Sequence, residues 1–173
     1  MVNLYFQDES RFGLFTRNGK ALTAKGVKPL CSFQQVFKST YLFGAFSPIN
    51  GNSFLLELPF CSTETFQIYL NEFSKQKPQE FKIIVLDNGA FHKAKTLNIP
   101  GNIALIFLPP YSPELNPAEK MWQTMKDNFT GKLFNSLDSL SHFIKEQVNA
   151  LSKNSIISTC SYEYIFSHLN WAR

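Results

Sequence analysis

The chain is short of most features that mark a specialised class of protein. It has only three cysteines in 173 residues, Cys31, Cys61 and Cys160. They are odd in number and widely spaced, and they fit neither a zinc pattern nor a disulfide framework. A reducing, cytoplasmic setting is the resulting expectation. No apolar run approaches the length of a membrane span. No basic segment precedes an apolar run at the N-terminus, so no secretory signal is visible. Charged residues make up only 17% of the chain, which argues against disorder. No internal repeat, low-complexity tract or interdomain linker is present. One further absence is local. No acid occurs from Ser10 to Phe54, yet Arg11, Arg17, Lys20, Lys25, Lys28 and Lys38 fall there. A one-signed stretch can neutralise phosphates, and it can equally be a solvated loop.

What is abundant is aromatic: 15% of residues, with 18 Phe. A chain of this length with that much apolar area can build one real core. Val2, Leu4, Phe6 and Asp8 share one parity, so they share one face of a strand. Tyr41 to Phe46 and Ser53 to Leu58 read as a hairpin around an Asn50-Gly51 turn signal. Ser62 or Thr63 caps a helix in which Phe66, Tyr69, Leu70 and Phe73 recur at helical spacing. Phe81 to Leu86 and Ile103 to Leu108 read as strands buried on both faces. A short helix is expected between them, from about His92 to Leu97. Asn116, Pro117 and Glu119 fit N-cap, N1 and N3 of the next helix, whose stripe is Trp122, Met125 and Phe129. A last helix is expected from about Ser136 to Leu151. The tail from Lys153 is aromatic but weakly patterned.

Three acids stand out. Asp8 continues an apolar row, where a carboxylate is costly unless it is paired or metal-bound. If the strand ends at Gln7, Asp8 is simply exposed. Asp87 ends an apolar strand, where open α/β sheets place ligand groups. It also begins Asp87-Asn88-Gly89, which is good turn chemistry. Glu119 follows Asp87 by 32 positions, and at N3 it could serve only as half of a capping box. Glu114 is a rival acid in a Pro-rich loop, and Glu9 should face away from Asp8. Together the three lie on an early strand, at a later strand end and on the following helix start. Elements of that kind can converge on one sheet edge as a site for hard divalent cations.

The order Asp8-Glu9-Ser10-Arg11-Phe12, then Leu86-Asp87-Asn88-Gly89-Ala90-Phe91-His92, then Pro109-Pro110-Tyr111-Ser112-Pro113-Glu114-Leu115-Asn116-Pro117-Ala118-Glu119 resembles the DDE transposases of the mariner-like superfamily. The nearest likeness is to their bacterial insertion-sequence branch. The resemblance implies an α/β, RNase H-like fold with a mixed five-stranded sheet, three antiparallel strands and then two parallel, flanked by helices. Residues 1–151 would form the catalytic domain, with 152–173 a tail packed on it. The catalytic and metal-binding residues would be Asp8, Asp87 and Glu119, with Asn88 and His92 in support.

The chemistry implied is phosphodiester hydrolysis followed by strand transfer, with Mg²⁺ or Mn²⁺, two ions together. Partners would be element ends and target DNA, at TA, on a homodimer. Arg11, Arg17, Lys20, Lys25 and Lys28 would contact phosphates. Family members carry an N-terminal helix-turn-helix region, for which this sequence has no room before Asp8. The expectation is therefore a catalytic fragment, or a separately encoded recognition region. Two alternatives remain: another RNase H-like nuclease such as a junction resolvase, and a catalytically silent DNA-binding module derived from a transposase.

Overall fold

The computed structural model describes residues 1–19 and 22–169, with the side chains of His168 and Leu169 left aside. Five strands form one sheet: β1 (Val2–Gly13), β2 (Ser39–Phe46), β3 (Ser53–Leu58), β4 (Phe81–Leu86) and β5 (Ile103–Phe107). Their order is β3-β2-β1-β4-β5. β1 to β3 pair antiparallel, while β4 and β5 run parallel to β1. β2 and β3 are joined by a short loop, β1 and β2 by a long arm from residue 14 to residue 38, and the parallel pairs by crossovers, as their geometry requires. The first crossover is α1 (Thr63–Lys75), closed at its start by a capping box between Ser62 and Thr65. It lays Phe66, Tyr69, Leu70 and Phe73 on the face carrying Tyr5, Phe43, Ile84 and Leu86.

The opposite face is covered by α2 (Ala118–Phe129), α3 (Leu137–Asn149) and α4 (Lys153–Cys160). Trp122, Met125, Leu140, Ile144, Ile156 and Cys160 pack there on Phe12, Leu42 and Phe46. Gly44 sets how closely α2 approaches. A Cβ on it would lie 2.6 Å from the Trp122 ring. A last helix, α5 (Glu163–Leu169), places Ile165 against Phe6 and Val85.

The sequence reading needs four corrections. First, the tail after Lys153 is two helices. The patterning missed them because α4 is short and mostly polar, and its start is fixed by a Ser152–Ser155 capping box. Second, no helix spans His92 to Leu97. A single 3-10 turn covers Ala90–Lys93 instead. It is set by the Asp87 carboxylate accepting from Gly89 N–H at 2.9 Å. Third, β5 is the sheet edge, with Ile106 and Phe107 exposed. Fourth, in β4 it is Phe81 that is exposed and Lys82 that is buried. The Lys82 ammonium lies over the Phe73 ring and reaches backbone carbonyls of Lys77 and Glu80 at 3.2 and 3.3 Å.

Candidate active site

β1 continues unbroken through Asp8. Its parallel pairing with β4 ends at Phe6 and Val85, while its pairing with β2 runs on to Gly13. Extending the register two residues sets Asp8 level with Asp87, on neighbouring strands about 4.8 Å apart. The β4 side of Asp8 is therefore open where Asp87 leaves the sheet.

The third acid is delivered by a buried asparagine. The Asn116 side-chain amide donates to the Gln7 carbonyl at 2.9 Å, and its oxygen accepts from Ala118 N–H at 3.1 Å. One residue thus caps the start of α2 and fastens it to β1 directly before Asp8. The helix proper begins at Ala118, one position later than the sequence suggests, with Pro117 ahead of it. Glu119 does not reach back to close a capping box, and Pro117, the residue ahead of the helix, makes no side-chain cap bond. Its exposed carboxylate faces a cleft of about 520 Å³ that Asp8, Asp87 and Asn88 also line. On the other side of Glu119 a wider groove of about 1190 Å³ runs between α2 and α5.

Asn88 and His92 make different contacts. Asn88 donates its amide to the Leu108 carbonyl, tying the ends of β4 and β5 together. His92 is buried and stands between two carboxylates. Its Nε2 lies 3.0 Å from Glu9 Oε1, and its Nδ1 lies 2.8 Å from Asp87 Oδ1. The second contact is close enough for an ion pair but too bent for a well-directed hydrogen bond. Burial alone would lower the imidazole pKa; the contacts with Asp87 and Glu9 outweigh it and hold the value at about 9. The same contact holds the Asp87 carboxyl below its usual range, against partial burial. Asp87 Oδ1 serves both His92 and Gly89, so among the described residues Oδ2 is left without a hydrogen bond.

Asp8 is the opposite case. Burial raises its pKa well above the ordinary carboxyl value, and the charges of Glu119, Glu9 and Asp87 add to the rise. The Cys61 thiol beside them is pushed up to about 11 by burial and by Glu9, Asp8 and Asp87. The cleft therefore holds negative charge in excess. That excess, and an all-oxygen donor set, fit a hard divalent cation. Among the described residues no three carboxylate, imidazole or thiol groups stand at the spacing of one closed ligand set. Asp8, Asp87 and Glu119 share a cleft rather than a single point, and the exposed Asp87 and Glu119 have room to move.

Of the other residues singled out by the sequence, Arg11 and Arg17 line a cavity beside Lys126. Lys25 and Lys28 are exposed on the arm between β1 and β2. Lys20 lies outside the described residues. Two contributors escaped the sequence reading. Glu9 does face away from Asp8, yet it reaches the site through His92. Its signal was a second acid beside a strand acid. Tyr111 is fully exposed at the cleft with a left-handed backbone, φ 58°. A non-glycine residue there costs about 1–2 kcal/mol, and only its place in a Pro-rich loop hinted at it.

Comparison with known proteins agrees with this architecture. The model of a family described as "DDE superfamily endonuclease" matches residues 3–141. An "Uncharacterized protein y4pE/y4sA" of Sinorhizobium fredii is 40% identical over 102 residues, covering 58% of this chain and 76% of that protein. Among solved structures, the Mos1 strand transfer complex superposes with a TM-score of 0.71 at 17% identity, over 91% of this chain and 50% of that one. The mariner Mos1 paired end complex with Mg gives 0.68 at 20% identity, over 91% and 51%. The corresponding complex with Mn gives 0.68 at 19% identity, again over 91% and 51%. At such identities the likeness establishes the RNase H-like fold. The chain spans about half the length of these transposase chains.

Proposed function

The chain belongs to the DDE superfamily endonucleases, and from that premise we propose that it is the catalytic domain of a metal-dependent transposase of the bacterial insertion-sequence branch. It cuts DNA at element ends and joins the freed 3′-hydroxyl to target DNA, at TA, in the cytoplasm. The observation that carries this reading is the excess charge at Asp8, which Glu119 and Asp87 create from two other elements across one cleft. Asp8, Asp87 and Glu119 hold the metal. Two Mg²⁺ or Mn²⁺ ions, when bound, supply charge to the developing oxyanions and lower the pKa of an attacking hydroxyl.

The chain's own residues do the rest. His92 and Glu9 fix one oxygen of Asp87, leaving the other to face the cleft. Asn116 fixes the distance from α2 to β1, and so the separation of Glu119 from Asp8. Asn88 anchors the Pro-rich loop that forms the rim. Arg11, Arg17, Lys20, Lys25 and Lys28 contact backbone phosphates and position the duplex without reading it. A homodimer and a helix-turn-helix region that recognises the ends complete the working assembly.

Nicking of supercoiled DNA with Mn²⁺ or Mg²⁺ tests the reading, with wild type beside Asp87→Asn. The expected result is nicking that needs the metal and disappears in the variant. Metal-independent nicking, or an Asp87→Asn variant as active as wild type, would sink it. Cleavage without any joining of a pre-cut 3′-end would favour another RNase H-like nuclease.

A further inference from the structure

Away from the carboxylates, four cations crowd a cavity of about 130 Å³. Arg11 comes from the far end of β1 and Arg17 from the arm that follows it. Lys126 and Lys132 come from the last turn of α2 and the bend beyond. Phe15 and Phe134 stand in the wall. The two halves are fastened together. Gly131 N–H donates to the Arg17 carbonyl at 2.9 Å, and the Gln34 amide donates to the Phe134 carbonyl at 3.0 Å. Gly131 makes that bend with a φ of 75°, which favours glycine. The cavity is thus built from two distant segments, not formed by one loose loop.

Its charge is unbalanced. Among the described residues, none of the four cations is ion-paired with a carboxylate. Arg11 donates to the Ser39 hydroxyl at 2.9 Å, and Lys132 lies 4.5 Å from the Phe143 ring centroid. Lys126 is held below its ordinary pKa, first by burial and then by Arg17, against the pull of Glu119 and Asp8. A helix C-terminus attracts cations, and this accounts for Lys126 and Lys132. It does not account for Arg11 and Arg17, which another element brings to the same place. Gathered like charge of this kind matches an anion.

The position is informative too. Lys126 follows Glu119 by seven residues, about 10 Å along a helix. Arg11 follows Asp8 by three residues, about 10 Å along a strand. Successive nucleotides of a duplex strand rise about 3.4 Å each along the axis while winding round it, so the cavity and the carboxylates lie within a few nucleotides of one another on a bound strand. We infer that this cavity binds one backbone phosphate of DNA, within a few nucleotides of the bond on which the carboxylates act. The inference rests on the DNA-directed reading above and adds Lys126 and Lys132 to its contacts.

The test is binding of duplex DNA in EDTA, over a range of salt, by wild type and by the Lys126→Gln/Lys132→Gln variant. The variant should bind more weakly on every sequence, and the slope of log K against log salt should fall by about one. Lys126→Arg/Lys132→Arg should keep the wild-type slope, and thermal unfolding should show that both variants are folded. A single neutral methylphosphonate linkage, scanned along one strand, should weaken wild type most at one place within a few nucleotides of the cut. At that place it should leave the Gln variant unmoved. Wild type that binds and nicks DNA, beside a Gln variant of unchanged slope and methylphosphonate profile, overturns the phosphate site alone. Wild type that binds no DNA at any salt overturns both this inference and the reading beneath it.

Discussion

The two ends of the β1–β4 pairing treat buried charge in opposite ways. At the Asn3 end the buried charges, Glu80 and Lys82, both have protein partners. Glu80 is buried and accepts from the Tyr5 hydroxyl at 2.8 Å and the Asn3 amide at 3.5 Å. Asn3 in turn accepts from the Ser47 hydroxyl at 3.0 Å. The buried Lys82 ammonium is bound by two carbonyls and lies 5.5 Å from the centroid of the Phe73 ring. At the Asp8 end, four carboxylates gather with one imidazole between two of them. The strands are the same, yet one end is closed and the other is not. Charge that the fold neutralises itself is part of the scaffold. Charge that it gathers and leaves in excess makes sense only with something from outside, and that contrast separates a site from a buried polar network.

The contrast breaks most visibly through Asp8→Asn. Metal-dependent nicking should fall below detection. Stability should move the other way. The folded-state pKa of Asp8 is raised, so ionising it costs stability once the pH exceeds the unfolded-state pKa of about 3.9. An amide removes that cost, so in EDTA near neutral pH the urea midpoint should rise. A lower midpoint than wild type would mean that the charges at this end are already balanced. Glu80→Ala should do the reverse. It strands the Tyr5 hydroxyl and the Asn3 amide and takes a counter-charge from beside Lys82. The expected loss is about 3 kcal/mol, read from urea unfolding, with nicking retained at low temperature. If Glu80→Ala abolished nicking in a folded protein, the two ends would not be separable.

The same division explains what the sequence could reveal. Parity along Val2, Leu4, Phe6 and Asp8, and the apolar run into Asp87, express backbone periodicity. That periodicity is local, so the sheet, α1 and the elements that carry the three acids were legible. The partners of Lys82 could not be foreseen because they are carbonyls, which no side-chain pattern records. The links from Asn116 to Gln7 and from Glu9 through His92 to Asp87 were hidden for another reason. They join residues 109 and 83 positions apart, and only the register of β1 against its neighbours brings them together. The cavity of Arg11, Arg17, Lys126 and Lys132 is of this kind as well. Half of it was visible as an acid-free stretch, but its partners on α2 were ordinary surface lysines in the sequence.

The subtlest effect should come from His92, which balances part of the excess at the Asp8 end. Its folded-state pKa of about 9 lies above an unfolded value of about 6.5. A raised imidazole contributes stability that is fully present below about pH 6.5 and is lost as the pH climbs through about 9. Wild type in EDTA should therefore be more stable than His92→Gln at about pH 6, and the gap should close by about pH 10. The Asp87→Asn background should show a smaller gap throughout, because one of the two carboxylates that raise the imidazole is gone. Urea midpoints across that range decide the matter. A gap independent of pH would make His92 a packing residue against Phe66 and Phe91. A gap that closes as described, and shrinks without Asp87, would make it the one counter-charge that this end of the strand supplies for itself.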